Sequence, residues 1–307
     1  PDVPKSLHQF PRNAPRNRLG LAQWITDKKN PLFSRTVVNR FWEQIFGVGI
    51  VETLEDFGTQ GFKPVHPELL DSKSLLKEIV MSATYQQSSV GDKELFEKDP
   101  ANHLLARGPR VRLSAEQVRD QSLAVSGLLS KKMYGKPVMP YQPDGVWAAV
   151  NSNLNYRQSE GEDQYRRAIY TFARRTGPYP SMFNFDSPSR EVCVARRIRT
   201  NTPLQSLVLL NDPVFVEASN YLAKNIYSNV QGAENQIVSC YKKALLHEPS
   251  AKDYKALKNL YEVSLENFKK NPKQIKDYLR SNEKPELAAL AVVANAIINL
   301  DEFVTKQ

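Results

Sequence analysis

Apolar residues recur at three- and four-residue spacing through most of this chain, a pattern that predicts helices. Arg18 to Thr26 reads as a short helix with Leu19, Leu21, Ala22, Trp24 and Ile25 apolar. Asn30-Pro31 starts a second helix, to about Phe46, on the stripe Phe33, Val37, Val38, Phe41, Trp42, Ile45 and Phe46, and Gly47-Val48-Gly49 ends it. Ser74 to Tyr85 is helical in pattern. Ser114 to Leu129 is amphipathic, with Ser114 and Gln117 as a capping box. Further helices are predicted over Pro203 to Leu210, Pro213 to Tyr227, Glu234 to Leu246, Ala251 to Lys269 and Pro285 to Leu300. Ser250 is placed to cap the helix from Ala251. Tyr165 to Phe172 alternates around Ile169 and predicts a strand. The expected fold is mainly α, a multi-helical domain with a few short strands around residues 165–175.

Between these elements lie irregular stretches. Residues 1–15 are proline-rich and read as a linker or lead-in arm, and 16–307 as a single large helical domain. Two subdomains, 16–135 and 162–307, are a further reading, joined by the Pro- and Gly-containing connection from Tyr134 to Gly161. The apolar run Leu287 to Leu300 is too short for a membrane span, so no transmembrane segment is expected. The chain starts at Pro1 with neither methionine nor signal peptide, which reads as a processed product or a piece of something longer.

Composition changes the picture in two places. The formal charge is +9 on 307 residues, a balance that favours acidic partners and equally serves solubility. No basic run is long enough to form a nucleic-acid arm, so no nucleic acid is expected. The two cysteines, Cys193 and Cys240, make no disulfide framework, although a pairing between them stays open. There is no C-x-x-C for zinc or redox work and no C-x-x-C-H for c-type haem. The absence of G-x-S-x-G, a P-loop and G-x-G-x-x-G argues against the corresponding hydrolase and nucleotide-binding classes.

The strongest candidate chemistry is an arginine belt: Arg166, Arg167, Arg174, Arg175, Arg190, Arg196, Arg197 and Arg199. Guanidinium forks suit carboxylate, sulfate and phosphate. Thr202 as N-cap, Pro203 in the first helical position and Gln205 as a capping-box partner would put free N–H groups and a positive dipole end beside Arg196, Arg197, Arg199 and Thr200. Tyr170, Phe172, Tyr179, Phe183 and Phe185 lie between the arginines and could stack on sugar faces. The belt therefore reads as a site for acidic glycan or another anion. The structural alternative is an internal ion-pair network joining the strand to the Thr202 helix.

Weaker candidates are two. Asp56, His66 and Glu68, in a loop with Gly58 and Gly61, could hold a metal or act in acid–base roles. His66-Pro67-Glu68-Leu69 is equally a helix start, and His8, His103 and His247 are isolated. Asp186 and Glu191 could be the paired carboxylates of glycoside hydrolysis. Among eight arginines they are more simply counter-ions, with pKa values drawn down. Cys193 shares that basic neighbourhood and reads as a packed core thiol.

Several segments, taken together and in order, carry a family resemblance. They are Arg18-Leu19-Gly20-Leu21-Ala22-Gln23-Trp24, Asn30-Pro31-Leu32, Val38-Asn39-Arg40-Phe41-Trp42 with Phe46-Gly47, and Glu55-Asp56-Phe57-Gly58-Thr59-Gln60-Gly61. They continue with His66-Pro67-Glu68-Leu69-Leu70-Asp71, Ser82-Ala83-Thr84-Tyr85-Gln86-Gln87-Ser88-Ser89, Arg199-Thr200-Asn201-Thr202-Pro203-Leu204-Gln205 and Asn299-Leu300-Asp301-Glu302-Phe303. Over nearly its whole length the chain resembles the planctomycete-specific domain of unknown function at the C-terminus of planctomycete-type cytochrome c proteins. The resemblance implies an exported protein, periplasmic, at the cell surface or extracellular, with a c-type cytochrome domain and an uncharacterised domain upstream. Haem would then sit only in the upstream domain, and this chain would carry no cofactor. No catalytic residue is carried over. Two places are shorter than the family pattern: after Leu69-Leu70-Asp71, where Ser72 to Leu75 replaces a tryptophan-containing helix, and before Gly161-Glu162-Asp163. Losing most of a helix would expose apolar surface on its neighbours, so omitted residues are favoured over true deletions.

Three functions are then expected in order. The first is an accessory or binding domain that takes acidic or sulfated polysaccharide through the belt. The second is a glycan-active enzyme using Asp186, Glu191 or His66. The third is a scaffold that docks the c-type cytochrome domain.

Overall fold

The computed structural model describes residues 2–71, 75–148 and 156–306. The expected omissions near residues 72 and 155, and Ser74 of the helix predicted from that residue, lie outside the described residues. Two compact units divide the chain, residues 2–111 and 112–306. Among the described residues there are thirteen α-helices and a two-stranded sheet of two-residue strands, β1 (Val111–Arg112) and β2 (Thr305–Lys306). The mainly α reading holds. No helix among the described residues is long and apolar enough to cross a membrane.

The first unit is organised by α1 (Arg18–Ile25) and α2 (Pro31–Phe46), with the short helices α3 (Leu75–Met81), α4 (Ala83–Gln86) and α5 (Lys93–Lys98) following. Local chemistry sets the ends of α2. Asn30 accepts from the Leu32 N–H, Pro31 occupies the first turn, and Gly47 closes the helix at φ 88°, a left-handed conformation that glycine reaches without strain. Val38, Trp42 and Phe46 then face Ile50, Val51, Leu70 and Ile79 in a small core. Asn39 is buried among them because its amide pairs with the Val51 backbone in both directions, at 2.9 and 2.8 Å. The helix expected over Ser74 to Tyr85 is broken in two at Ser82, whose hydroxyl caps α4 by accepting from the Tyr85 N–H. The arm before α1 is packed locally: His8 stacks on Trp24 at 5.2 Å, and the Trp24 indole donates to the His8 carbonyl.

The second unit is a helical bundle of α6 (Ala115–Ser126), the five-residue α7 (Pro180–Asn184), α8 (Pro203–Asn211), α9 (Pro213–Asn229), α10 (Ala233–Leu245), α11 (Ala251–Lys270), α12 (Lys273–Leu279) and α13 (Pro285–Ile298). Helix α13 is apolar on all sides and buried almost throughout, and α9, α10 and α11 pack around it. The Ser114–Gln117 capping box forms, with both reciprocal bonds present, and Gly127 at φ 83° ends α6. Helix α9 begins with Asp212 accepting from the Val214 N–H ahead of Pro213.

The strand predicted over Tyr165 to Phe172 is not formed. Residues Gly161–Tyr165 and Ala168–Tyr170 are 3-10 turns, and the pairing there is a single isolated parallel bridge between Val138 and Thr171. The cause is a long-range clamp. The buried Arg119 on α6 donates to the carbonyls of Gln164 and Arg166, at 2.8 and 2.9 Å, and so takes acceptors that a strand would spend on a ladder.

Candidate anion-binding cleft

Eight arginines crowd residues 166–199, but the fold gives them different work. Arg166 is fully buried. Its guanidinium donates to the backbone carbonyls of Lys136 and Tyr134 and lies 3.8 Å over the Tyr170 ring. It staples the 132–136 segment and leaves the candidate site. Arg197 pairs with Glu116 of α6 at 2.6 Å. Burial pushes the Glu116 carboxyl up, yet the hydrogen bond and charge of Arg197, together with bonds from the Glu116 N–H and the Ser114 hydroxyl, outweigh it and hold the group below the usual glutamate range. Arg196 and Arg199 are also engaged within the fold. Arg167 and Arg175 are exposed.

Arg174 and Arg190 differ from the rest. They line a narrow cleft of about 40 Å³ together with Thr171, Ser187 and Ser189, with Glu116 at its wall. Arg174 is steered into place from two sides: its Nε donates to the Thr176 hydroxyl at 3.0 Å, and its guanidinium lies 4.9 Å from the Trp147 ring. Two donors at this cleft are buried without a partner among the described residues, Arg174 Nη1 and Thr171 Oγ1. Buried polar groups in folded proteins are almost always paired, so two orphan donors on residues of one cleft single it out among the arginines. Arg190 adopts φ 63°, a left-handed conformation that costs a non-glycine residue about 1 kcal/mol or more.

The other predicted residues are placed as follows. Asp186 sits at φ 59° and accepts from both the N–H and the hydroxyl of Thr200, at 2.8 and 2.9 Å. Gln205 is almost fully buried and donates to the Thr200 hydroxyl at 3.2 Å, while its carbonyl accepts from Arg112 Nε at 3.0 Å. The expected capping box at Thr202 is therefore absent: Thr202 is the N-cap of α8 but makes no capping bond with its side chain, because Gln205 is held by Thr200 and Arg112 instead. Glu191 is exposed, with its backbone N–H on the Ser189 hydroxyl, so it and Asp186 form no buried carboxylate pair. Cys193 is exposed rather than packed, and both cysteines are free, which corrects the core reading and the open pairing with Cys240. The interleaved aromatics divide: Tyr179 is buried with its hydroxyl on the Tyr141 carbonyl at 2.6 Å and Phe185 packs on Phe215 at 6.5 Å, while Phe172 and Phe183 are exposed.

In the first unit, Asp56, His66 and Glu68 are not gathered into a metal site. No group of three or more His, Cys, Asp or Glu side chains among the described residues could hold an ion. The Asp56 carboxylate instead turns back onto the Gly58 N–H at 2.7 Å, and Gly61 is tight because a Cβ there would stand 2.1 Å from the Asp56 carbonyl. The run from Asp56 to Gly61 is thus a loop motif. His66-Pro67 opens a 3-10 turn, Pro67–Asp71, which keeps the expected helix start in a tighter form.

Sequence reasoning missed Thr171, Trp147 and Arg119. Arg119 was legible in part: it sits on the buried stripe of α6 beside Ser122 and Leu123, where a charge needs partners. Trp147 was hidden in a stretch read as connection.

No curated protein and no solved structure matches this chain. A family profile matches residues 17–261, more than half of its length, and the chain belongs to that family, PSD1, a protein of unknown function (DUF1553).

Proposed function

We propose that this chain is a binding domain that captures an oxyanion, the carboxylate or sulfate group of an acidic polysaccharide, in the Arg174–Arg190 cleft. The observation that carries the reading is the pair of unpartnered buried donors, Arg174 Nη1 and Thr171 Oγ1, on two side chains of that cleft. Its size sets the kind of ligand. About 40 Å³ is room for a few waters, at about 10–15 Å³ each, or for one carboxylate or sulfate group. A sugar ring does not enter, so the anion is the tip of a larger molecule lying outside. The two lining arginines exceed the single lining carboxylate, and Glu116 already has Arg197. Binding is favoured over turnover because Asp186 is consumed by Thr200, and a hydrolase of the two-carboxylate type needs both acids at the scissile bond.

The wider setting is part of the same proposal and rests on the resemblance. The domain would belong to an exported protein, periplasmic, at the cell surface or extracellular, beside an uncharacterised domain and a c-type cytochrome domain that carries the haem. The glycan-active enzyme, with Glu191, Asp186 or His66 as acid–base groups, and the scaffold that docks the cytochrome are then outcomes of one experiment. The purified chain is titrated with a polyuronate, a sulfated polysaccharide and a neutral glucan at low and moderate salt, with product analysis on the same samples. Saturable binding of either acidic polymer, lost in Arg174→Ala and weakened by salt, is expected. Which polymer binds separates carboxylate from sulfate. Cleavage products would replace this reading by the enzyme. Binding to none of the polymers would remove it.

A further inference from the structure

The first unit holds a larger pocket that the anion cleft does not involve. Its volume is about 300 Å³, at the lower end of small-molecule sites. The walls include Trp42, Phe46, Leu69, Ile79 and Leu105, with His66, Glu78, Ser82 and Thr84 as the polar members. The lining is therefore mainly apolar and partly aromatic, with the Trp42 and Phe46 rings 4.4 Å apart.

Two observations set this pocket apart from a packing defect. His66 Nε2 is buried and has no hydrogen-bond partner among the described residues, with its ring 6.2 Å from Trp42. A ring nitrogen left in that state costs on the order of the desolvation of one polar group, which a ligand hydroxyl would recover. The second is the wall at Leu105. This bulky residue is held at φ 53°, in the left-handed region where a leucine is strained. The loop that holds it is tied down from outside the pocket. Asp99 accepts from the N–H groups of His103 and Leu104, and Gln87 donates to the Leu105 carbonyl at 2.6 Å. The fold thus spends hydrogen bonds to keep a strained apolar wall in position.

Size and chemistry narrow the occupant. An apolar cavity of ~150 Å³ takes up a single benzene ring, so twice that volume suits two fused rings. No arginine or lysine lines the pocket, and Glu78 stands at its wall, which disfavours a carboxylate or phosphate. Among the polar groups of the lining residues, His66 Nε2 is the one buried without a hydrogen-bond partner among the described residues, so one hydrogen-bonding group is wanted there. We propose that this pocket binds a neutral two-ring aromatic molecule bearing a hydroxyl, the rings against Trp42, Phe46 and Ile79 and the hydroxyl on His66 Nε2. This is a second site, independent of the anion cleft.

The test titrates the full chain with 2-naphthol and with its isostere 2-methylnaphthalene, in which a methyl replaces the hydroxyl. Expected is one 2-naphthol per chain, bound about tenfold more tightly than the isostere, the yield of one buried hydrogen bond. In His66→Phe the tenfold gap should close with binding of the isostere unchanged. In Leu69→Trp, which fills the pocket, both ligands should be lost, with the helical circular dichroism retained. Absence of saturable 2-naphthol binding to the wild type overturns the proposal. So does equal affinity for the two probes, which would leave His66 no role. If Leu69→Trp fails to fold, the wild-type comparison and His66→Phe still decide it.

Discussion

Asp186 holds Thr200 by two bonds at once, to its N–H at 2.8 Å and to its hydroxyl at 2.9 Å. This is the relationship on which the segment from Arg199 to Gln205 turns. Gln205 joins the same hydroxyl and passes the chain of bonds to Arg112, which in turn reaches Asp301 at 3.4 Å. The motif residues Thr200 and Gln205 thus build a partly buried polar network across the second unit, from the loop before α8 to the turn after α13. Such a network is stabilising only when every member is satisfied.

Gln205→Leu should therefore destabilise the second unit far more than Thr202→Ala. The leucine fits the apolar part of the site but leaves Arg112 Nε without its acceptor, at a cost of about 2–3 kcal/mol. Thr202 makes no capping bond, so its truncation should cost under about 0.5 kcal/mol, where a working N-cap would give about 1. Denaturant unfolding of the two variants beside wild type checks the order. Equal losses would mean that Thr202 caps α8 after all.

The Glu116–Arg197 pair gives a pH dependence whose sign can be worked out. The carboxyl is held below its usual range in the folded state, against the opposing pull of burial. Its stabilising contribution is therefore complete above the unfolded glutamate pKa of about 4.3 and is lost as pH falls through the lower folded value. Arg197→Ala removes the largest pull against burial and leaves the bonds from the Glu116 N–H and the Ser114 hydroxyl, so the same carboxyl should then titrate higher than in the wild type. The variant should lose about 1–2 kcal/mol at neutral pH and regain part of it on acidification to about pH 4. Stability measured between pH 3 and 7 would show whether the slope contributed by this group becomes shallower in the variant.

What the sequence made legible was local. Ser114 with Gln117, Asn30 with Pro31, and the apolar run from Leu287 to Leu300 are signals contained within a few turns, and each appears as an element, the last ending two residues early at Ile298. The false strand at residues 165–172 meets a non-local partner: Arg119, some 45 residues earlier, binds the Arg166 carbonyl within it and the Gln164 carbonyl just before it. The candidate site was legible only as an arginine-rich composition. Which arginines hold the fold and which line a cleft depends on partners distant in sequence, Glu116 for Arg197 and the Lys132–Lys136 carbonyls for Arg166. Residue type states what a guanidinium can bind, while the tertiary fold decides whether that capacity is already used.

Leu246 offers a case where a residue stands in the wrong conformation for its type. It closes α10 at φ 66°, with its N–H on the Lys242 carbonyl, and is 89% exposed. Glycine is the usual residue at such a left-handed cap. Leu246→Gly forfeits little packing and relieves the strain, less the extra freedom gained by the unfolded chain, so a gain of about 0.5–1 kcal/mol is expected. Thermal and denaturant melts report it directly, and a loss of stability would show that the leucine side chain contributes contacts outweighing the strain.

The two cysteines should behave as opposites toward an alkylating reagent. Cys193 is exposed, while Cys240 is completely buried in α10 and burial pushes its thiol up to about 12. The thiolate is the reactive form, so at pH 8 Cys240 is protected twice, by access and by charge state. Mass spectrometry after brief iodoacetamide treatment should find Cys193 modified and Cys240 intact, with both modified in denaturant. Because Cys240 lies in the core that α10 shares with α13, its labelling rate in rising denaturant reads the opening of the second unit alone. Run on Gln205→Leu, the same assay should show Cys240 labelled at lower denaturant than in wild type. If instead Cys240 labels in the native protein as fast as Cys193, the packing of α10 against α13 described above is wrong.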